Sequence, residues 1–186
     1  ACLVGSEMCI RDRFIQEAES AKKRNEQRYR WEYMGEAIGS GVVPFNNLRI
    51  EEIPQGQYDT FDNIRNAVDF GYATDPLAFV RWHYDKKKRV IYAMDEHYGV
   101  QISNREFANW LKKKGYQSDE IFADSAEPKS IAELKQEHGI KKVKAVKKGA
   151  DSVEYGEQWL DDLEAIVIDP RRTPNICLLY TSPSPR

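Results

Sequence analysis

Apolar and polar positions alternate in short runs from residue 63 onward, and these runs are punctuated by turn residues. Ile64-Arg65-Asn66-Ala67-Val68-Asp69 predicts a strand that stops at Phe70-Gly71. After the Asp75-Pro76 turn, Leu77 to Tyr84 predicts a second strand. The polar turn of residues 85–88 leads into a third strand from Arg89 to Glu96. Connections this short imply an antiparallel meander. The period then lengthens. Ser103 with Glu106 three residues on forms an S-x-x-E capping box, and Phe107, Trp110 and Leu111 make an apolar stripe ending at Gly115, so residues 104–114 are predicted to be helical. Ile121-Phe122-Ala123-Asp124 predicts a fourth strand. A helix follows Pro128 with Ile131 and Leu134 inward and Gly139 as its stop. Val143 to Val146 predicts a fifth strand, and a last helix runs from Asp151 or Ser152 to about Leu163. The order βββαβαβα implies an α/β domain, a mixed sheet with helices on both faces.

Upstream the pattern is weaker. Residues 14–30 are rich in Glu, Lys, Arg and Gln and suit a solvated helix. Gly35, Gly39 and Gly41 lack the Lys-Ser/Thr of a phosphate loop and read as a connector. Residues 42–60, with Pro44, Pro54 and Gly56, read as a linker or an irregular strand pair. The two ends, 1–13 and 177–186, share no protein-like patterning and read as translated library-adapter sequence, to be set aside from the fold. The domain expected from this division occupies residues 61–176, preceded by a linker or domain tail over 14–60.

Composition narrows the function. Among 186 residues, 30 Asp and Glu nearly cancel 28 Lys and Arg, for a net charge of −2, so any contact with a polyanion must come from local clusters. No apolar run approaches the roughly 18 residues of a membrane span, which predicts no membrane partner. All three cysteines, Cys2, Cys9 and Cys177, fall in the adapter-like ends. The remainder is cysteine-free, as suits a reducing compartment.

Ligands of mixed sheets gather where strands end. Asp69 closes the first predicted strand and Asp124 the fourth; if these strands are parallel neighbours, both carboxylates emerge at one edge. Two close carboxylates repel unless a cation lies between them, and a hard, oxygen-seeking ion such as Mg²⁺ or Mn²⁺ would suit. Two such ions support in-line phosphodiester hydrolysis. The plainer alternative has Asp69 capping the turn at Gly71 and Asp124 opening the loop into the next helix. Asp69-Phe70-Gly71 also spells the kinase metal-binding tripeptide, but the other kinase motifs are absent. His83, His97 and His138 have no paired metal-ligand spacing. His138, beside Gly139, suits a helix C-terminus; His97 follows Glu96 at a strand end, where it could approach a metal site, but a surface position suits it better. Trp82, Trp110 and Trp159 occupy apolar positions and are expected in the core. The lysine clusters read as solvated faces, but Lys147-Lys148 leads into Gly149 near the predicted site, and if that site is a nuclease the pair could hold a DNA phosphate.

Val68-Asp69-Phe70-Gly71-Tyr72 with Asp75-Pro76-Leu77-Ala78 resembles the first motif of the nuclease domain of phage terminase large subunits. Asp95-Glu96, the stretch from Ala123 to Ser130 and the stretch from Lys148 to Gly156 are similar to that family in the same order. The resemblance spans about residues 29–176 and implies an RNase H-like fold and divalent-metal-dependent endonucleolytic cleavage of double-stranded DNA during genome packaging. It implies Asp69 and Asp124 as catalytic metal ligands, Glu96 as a supporting carboxylate, and a two-metal Mg²⁺ or Mn²⁺ site. The family's third acidic ligand follows a stretch resembling Ile168 to Asn175, and here that region gives way to the adapter-like tail, so this chain is expected to bind metal or cleave poorly. The family's ATP-binding motifs are absent. A terminase small subunit and portal protein are the implied partners, and the host cytoplasm the implied location. The alternatives are a non-catalytic DNA-gripping or capsid-docking module, or another RNase H-like nuclease such as a resolvase.

Overall fold

The computed structural model describes residues 45–71, 74–146, 149 and 151–181, with Glu19 and Lys22 isolated before them. Seven strands form one sheet: β1 (Leu48–Ile50), β2 (Ile64–Asp69), β3 (Leu77–Asp85), β4 (Val90–Gly99), β5 (Ile121–Asp124), β6 (Val143–Val146) and β7 (Ala165–Ile168). Among the described residues from 45 onward, five helices accompany them: α1 (Gln55–Tyr58), α2 (Asn104–Lys114), α3 (Pro128–Gln136), α4 (Ser152–Asp161) and α5 (Pro174–Thr181). From β2 to α4 the order is the βββαβαβα of the sequence pattern. The sheet also takes in Leu48–Ile50 from the stretch read as a linker or irregular strand pair.

Across the sheet the strands run β1-β7-β4-β3-β2-β5-β6. β3 is antiparallel to both neighbours, and every other pairing is parallel. Six of the seven strands therefore deliver their C-terminal ends to the same edge. β4 carries a bulge: Arg81 pairs with Asp95 while Trp82 pairs with Ala93, leaving Met94 as the extra residue.

Side-chain alternation along the strands divides the core between two faces. On one face Phe107 and Leu111 of α2 and Ile131 and Leu134 of α3 pack over Val68, Phe79, Ile121 and Val143. α1 and Phe61 extend this layer over Tyr92 and Val167. On the opposite face Leu160 of α4 and Leu163 pack with Trp82, Ile91 and Ile166. Both halves of the capping box are present at α2. The Glu106 backbone N–H donates to Ser103 Oγ at 3.2 Å, and the Ser103 N–H donates to Glu106 Oε2 at 2.9 Å. Gly115 ends the helix in the left-handed region at φ 80°. Among the described residues no helix is long and apolar enough to cross a membrane.

Candidate active site at the strand ends

β2 and β5 are parallel neighbours, registered as Asn66 to Ile121, Ala67 to Phe122 and Val68 to Ala123. Asp69 and Asp124 are the next residue of each strand, so the two carboxylates stand side by side on the same face. Neighbouring strands lie roughly 4.8 Å apart, which sets the scale of the separation between their backbones. The face is the one away from α2 and α3, since Val68 and Ala123 are buried beneath those helices while Asp69 is exposed and Asp124 half-buried.

Local sequence explains why the first carboxylate sits there. A Cβ on Gly71 would come within 2.3 Å of the Asp75 carbonyl oxygen and 2.5 Å of that of Pro76, so only glycine lets the chain fold back against residues 75 and 76 as it leaves β2. At the second carboxylate, Asp124 Oδ1 accepts the Ala126 N–H at 3.0 Å, an Asx turn that starts the loop into α3. The plainer role weighed for Asp124 is thus present, and it uses one lone pair of a group that has several.

Glu96, Asp95 and Asp169, near this edge, have structural partners. Glu96 shares the exposed face of Asp69 but is two strands away, on β4. Its Oε1 accepts the Asn175 backbone N–H at 2.7 Å and the Asn175 side-chain amide at 2.6 Å, and its Oε2 accepts the Ile176 N–H at 3.0 Å. Glu96 therefore caps the first turn of α5 from outside the helix. Asp95, on the opposite face, accepts Lys114 Nζ at 2.7 Å and the Tyr116 hydroxyl at 2.9 Å. Asp169 follows β7 and was not singled out as a functional residue from the sequence, although it ends a strand as Asp69 and Asp124 do. It is fully buried and accepts the N–H groups of Ile53 and Arg171, both at 2.9 Å. Burial pushes its pKa up, but those two backbone donors and the Arg171 guanidinium outweigh it and hold the carboxyl below its ordinary value.

Lys147 and Lys148 lie outside the described residues. His97 faces away from Asp69, half-buried and stacked on Trp110 with ring centroids 4.6 Å apart, so the surface position expected for it is not found. The His138 ring lies 3.1 Å from Glu133 Oε1 at the end of α3. Trp82 and Trp110 border the core as expected. Trp159 instead leaves 46% of its surface exposed and meets Tyr84 edge-on.

As a donor set, the pair fits a hard divalent cation. Mg²⁺-type ions commonly take one or two carboxylates and fill the remaining positions with water and substrate phosphate. Among the described residues a group of three potential metal-ligating side chains does converge elsewhere, at Glu133, Glu137 and His138. Of these, Glu133 is already engaged by Asn104 and His138.

A family model described as the terminase RNAseH like domain matches residues 69–176, beginning at the first of the two carboxylates. The chain belongs to this family. Among curated proteins, this terminase RNase H-like chain is 60% identical over 165 residues to the large terminase subunit of Bacillus phage SPP1, a match covering 88% of the chain and 39% of that protein. It is 33% identical over 91 residues to the PBSX phage terminase large subunit of Bacillus subtilis strain 168, covering 49% of the chain and 21% of that protein. The terminase chain thus spans well under half the length of either relative. Among solved structures it resembles the large terminase nuclease domain from bacteriophage SPP1 with bound Mn. The TM-score is 0.72 at 56% identity, over 76% of this chain and 81% of that one.

Proposed function

We propose that this chain is the nuclease module of a terminase large subunit, cutting double-stranded viral DNA by divalent-metal-dependent hydrolysis during packaging. The observation that carries the reading is the placement of Asp69 and Asp124 side by side at the ends of two paired parallel strands. In it, Asp69 and Asp124 hold Mg²⁺ or Mn²⁺, two ions when substrate is present. The bound cations would supply a nucleophilic water and charge stabilisation at the phosphodiester. Family membership and the similarity to a manganese-bound nuclease domain support the same reading.

The role of Glu96 in this scheme is indirect, because both its oxygens are occupied by α5. It fixes that helix at the end of β4, two strands from Asp69. A terminase small subunit and a portal protein are the expected partners of the whole assembly, and the host cytoplasm the expected place of action.

The test is nicking of supercoiled plasmid in Mn²⁺ by this chain, and by a version extended with the C-terminal sequence of the SPP1 relative. Asp69→Asn and Asp124→Asn should each lower the nicking rate by at least about a hundredfold if the pair supplies most of the electrostatic stabilisation. Undiminished nicking by either variant would refute the assignment. Tight DNA binding with no cleavage by any version would favour a gripping module instead.

A further inference from the structure

The outer three strands of the site-bearing half, β2, β5 and β6, have one face that no described helix covers. α2 and α3 pack on the other side, and α4 lies over Trp82 and Tyr84. Ala67, in the middle of β2, shows how open the face is, because a helix packed across it would bury it, yet it is exposed. The register lays out this surface in rows. Asp69, Asp124 and Val146 form the row at the strand ends; Ala67, Phe122 and Lys144 form a second; Arg65 and Glu120 begin a third.

Two cations lie back from the row of acids along the strand direction. Lys144 is two residues before Val146, and Arg65 is four before Asp69. At a rise of about 3.3 Å per residue these offsets are roughly 6.6 and 13 Å. Lys144 and Arg65 also lie two strands apart in the sheet, a lateral offset of roughly 10 Å. Lys144 pairs with Glu120, but with the lysine 59% and the carboxylate 41% exposed the pair is screened by water, and such a pair contributes little and is readily exchanged for a phosphate. Between the cations the floor is Ala67 and Phe122, neither of which offers a hydrogen bond to a base edge.

We propose that this open face is the track along which one strand of duplex DNA reaches the acidic pair, with Lys144 and Arg65 as its phosphate contacts. The proposal rests on the nuclease reading and extends it to the substrate's path. Contacts of this kind position the duplex without selecting sequence.

The experiment measures binding of a fluorescein-labelled 20-base-pair duplex by anisotropy in EDTA over a series of NaCl concentrations, with plasmid nicking in Mn²⁺ alongside. Relative to the unmodified chain, the double variant Arg65→Ala/Lys144→Ala should reduce the slope of log affinity against log salt by about 1.8, the value for two lost phosphate contacts. It should raise KM for nicking while leaving kcat near its original value. A control pair, Lys86→Ala/Lys87→Ala, removes the same charge at the β3–β4 turn, on the opposite edge of the sheet, and should leave the slope unchanged. An unchanged slope in the first pair, or an equal change in both pairs, would overturn the track. Failure of the nuclease reading registers separately, as undiminished nicking by Asp69→Asn. Circular dichroism melts establish that each variant is folded.

Discussion

Asp69 and His83 occupy opposite ends of the β2–β3 hairpin and face opposite electrostatic problems. Asp69 has a carboxylate for a neighbour, and in the proposed site a bound cation would offset their like charge. His83 has been taken out of water. It is buried, stacked on Phe61 with ring centroids 4.2 Å apart, and its Nδ1 is buried without a hydrogen-bond partner. Burial lowers its pKa, and the charges of Asp62 and Asp85 only partly oppose that effect. The unfolded chain therefore binds a proton more readily than the folded one. This contribution to stability is complete above the unfolded pKa of about 6.5 and is lost as pH falls from there toward the lower folded value. His83→Phe keeps the aromatic stack and cannot take the proton. Its melting temperature should vary less between pH 7 and pH 5 than that of the unmodified chain, as scanning calorimetry would register.

Elements differed in how plainly the sequence announced them. The α2 helix was readable to the residue because its start and stop are local chemistry: a reciprocal capping box and a left-handed glycine. Ser103→Ala should cost about 1 kcal/mol in a urea titration, the usual worth of such a cap. The β2 and β5 strands were legible from their apolar runs, and their pairing followed from the alternation of strand and helix. The β7 strand was not predicted. Ala165-Ile166-Val167-Ile168 is buried throughout, so it lacks the alternation that marks a half-exposed strand, and its two neighbours come from distant parts of the chain. α1 is only four residues long, with no side-chain cap to signal it. Trp159 occupies an apolar position of α4 but remains exposed. At the site, the two aspartates could be found because each ends a strand. The engagement of Glu96 by α5 could not, since its donors are 79 and 80 residues away.

For the whole molecule, Asp169 is the joint between the two ends of the described fold. From the end of β7 it accepts the Ile53 N–H, 116 residues away, which fastens the segment after β1 to the far end of the chain. Because its folded pKa is depressed, the stability it contributes is present above its unfolded value near 4 and is lost as pH falls through the folded value. Asp169→Ala leaves the buried Ile53 N–H and the partly buried Arg171 N–H unpaired and should cost about 2–4 kcal/mol near neutral pH. The difference from the unmodified chain should shrink below about pH 4, as urea unfolding at pH 7 and pH 3 would measure. The insertion of β7 between β1 and β4 also sets an order of events during synthesis. β1 is made before the meander and, among the described residues, pairs only with β7, so that pairing has to wait until β7 has been made. The meander from β2 to β4 can form while translation continues, whereas the β1 edge closes last, through contacts of long sequence separation that are slow to find.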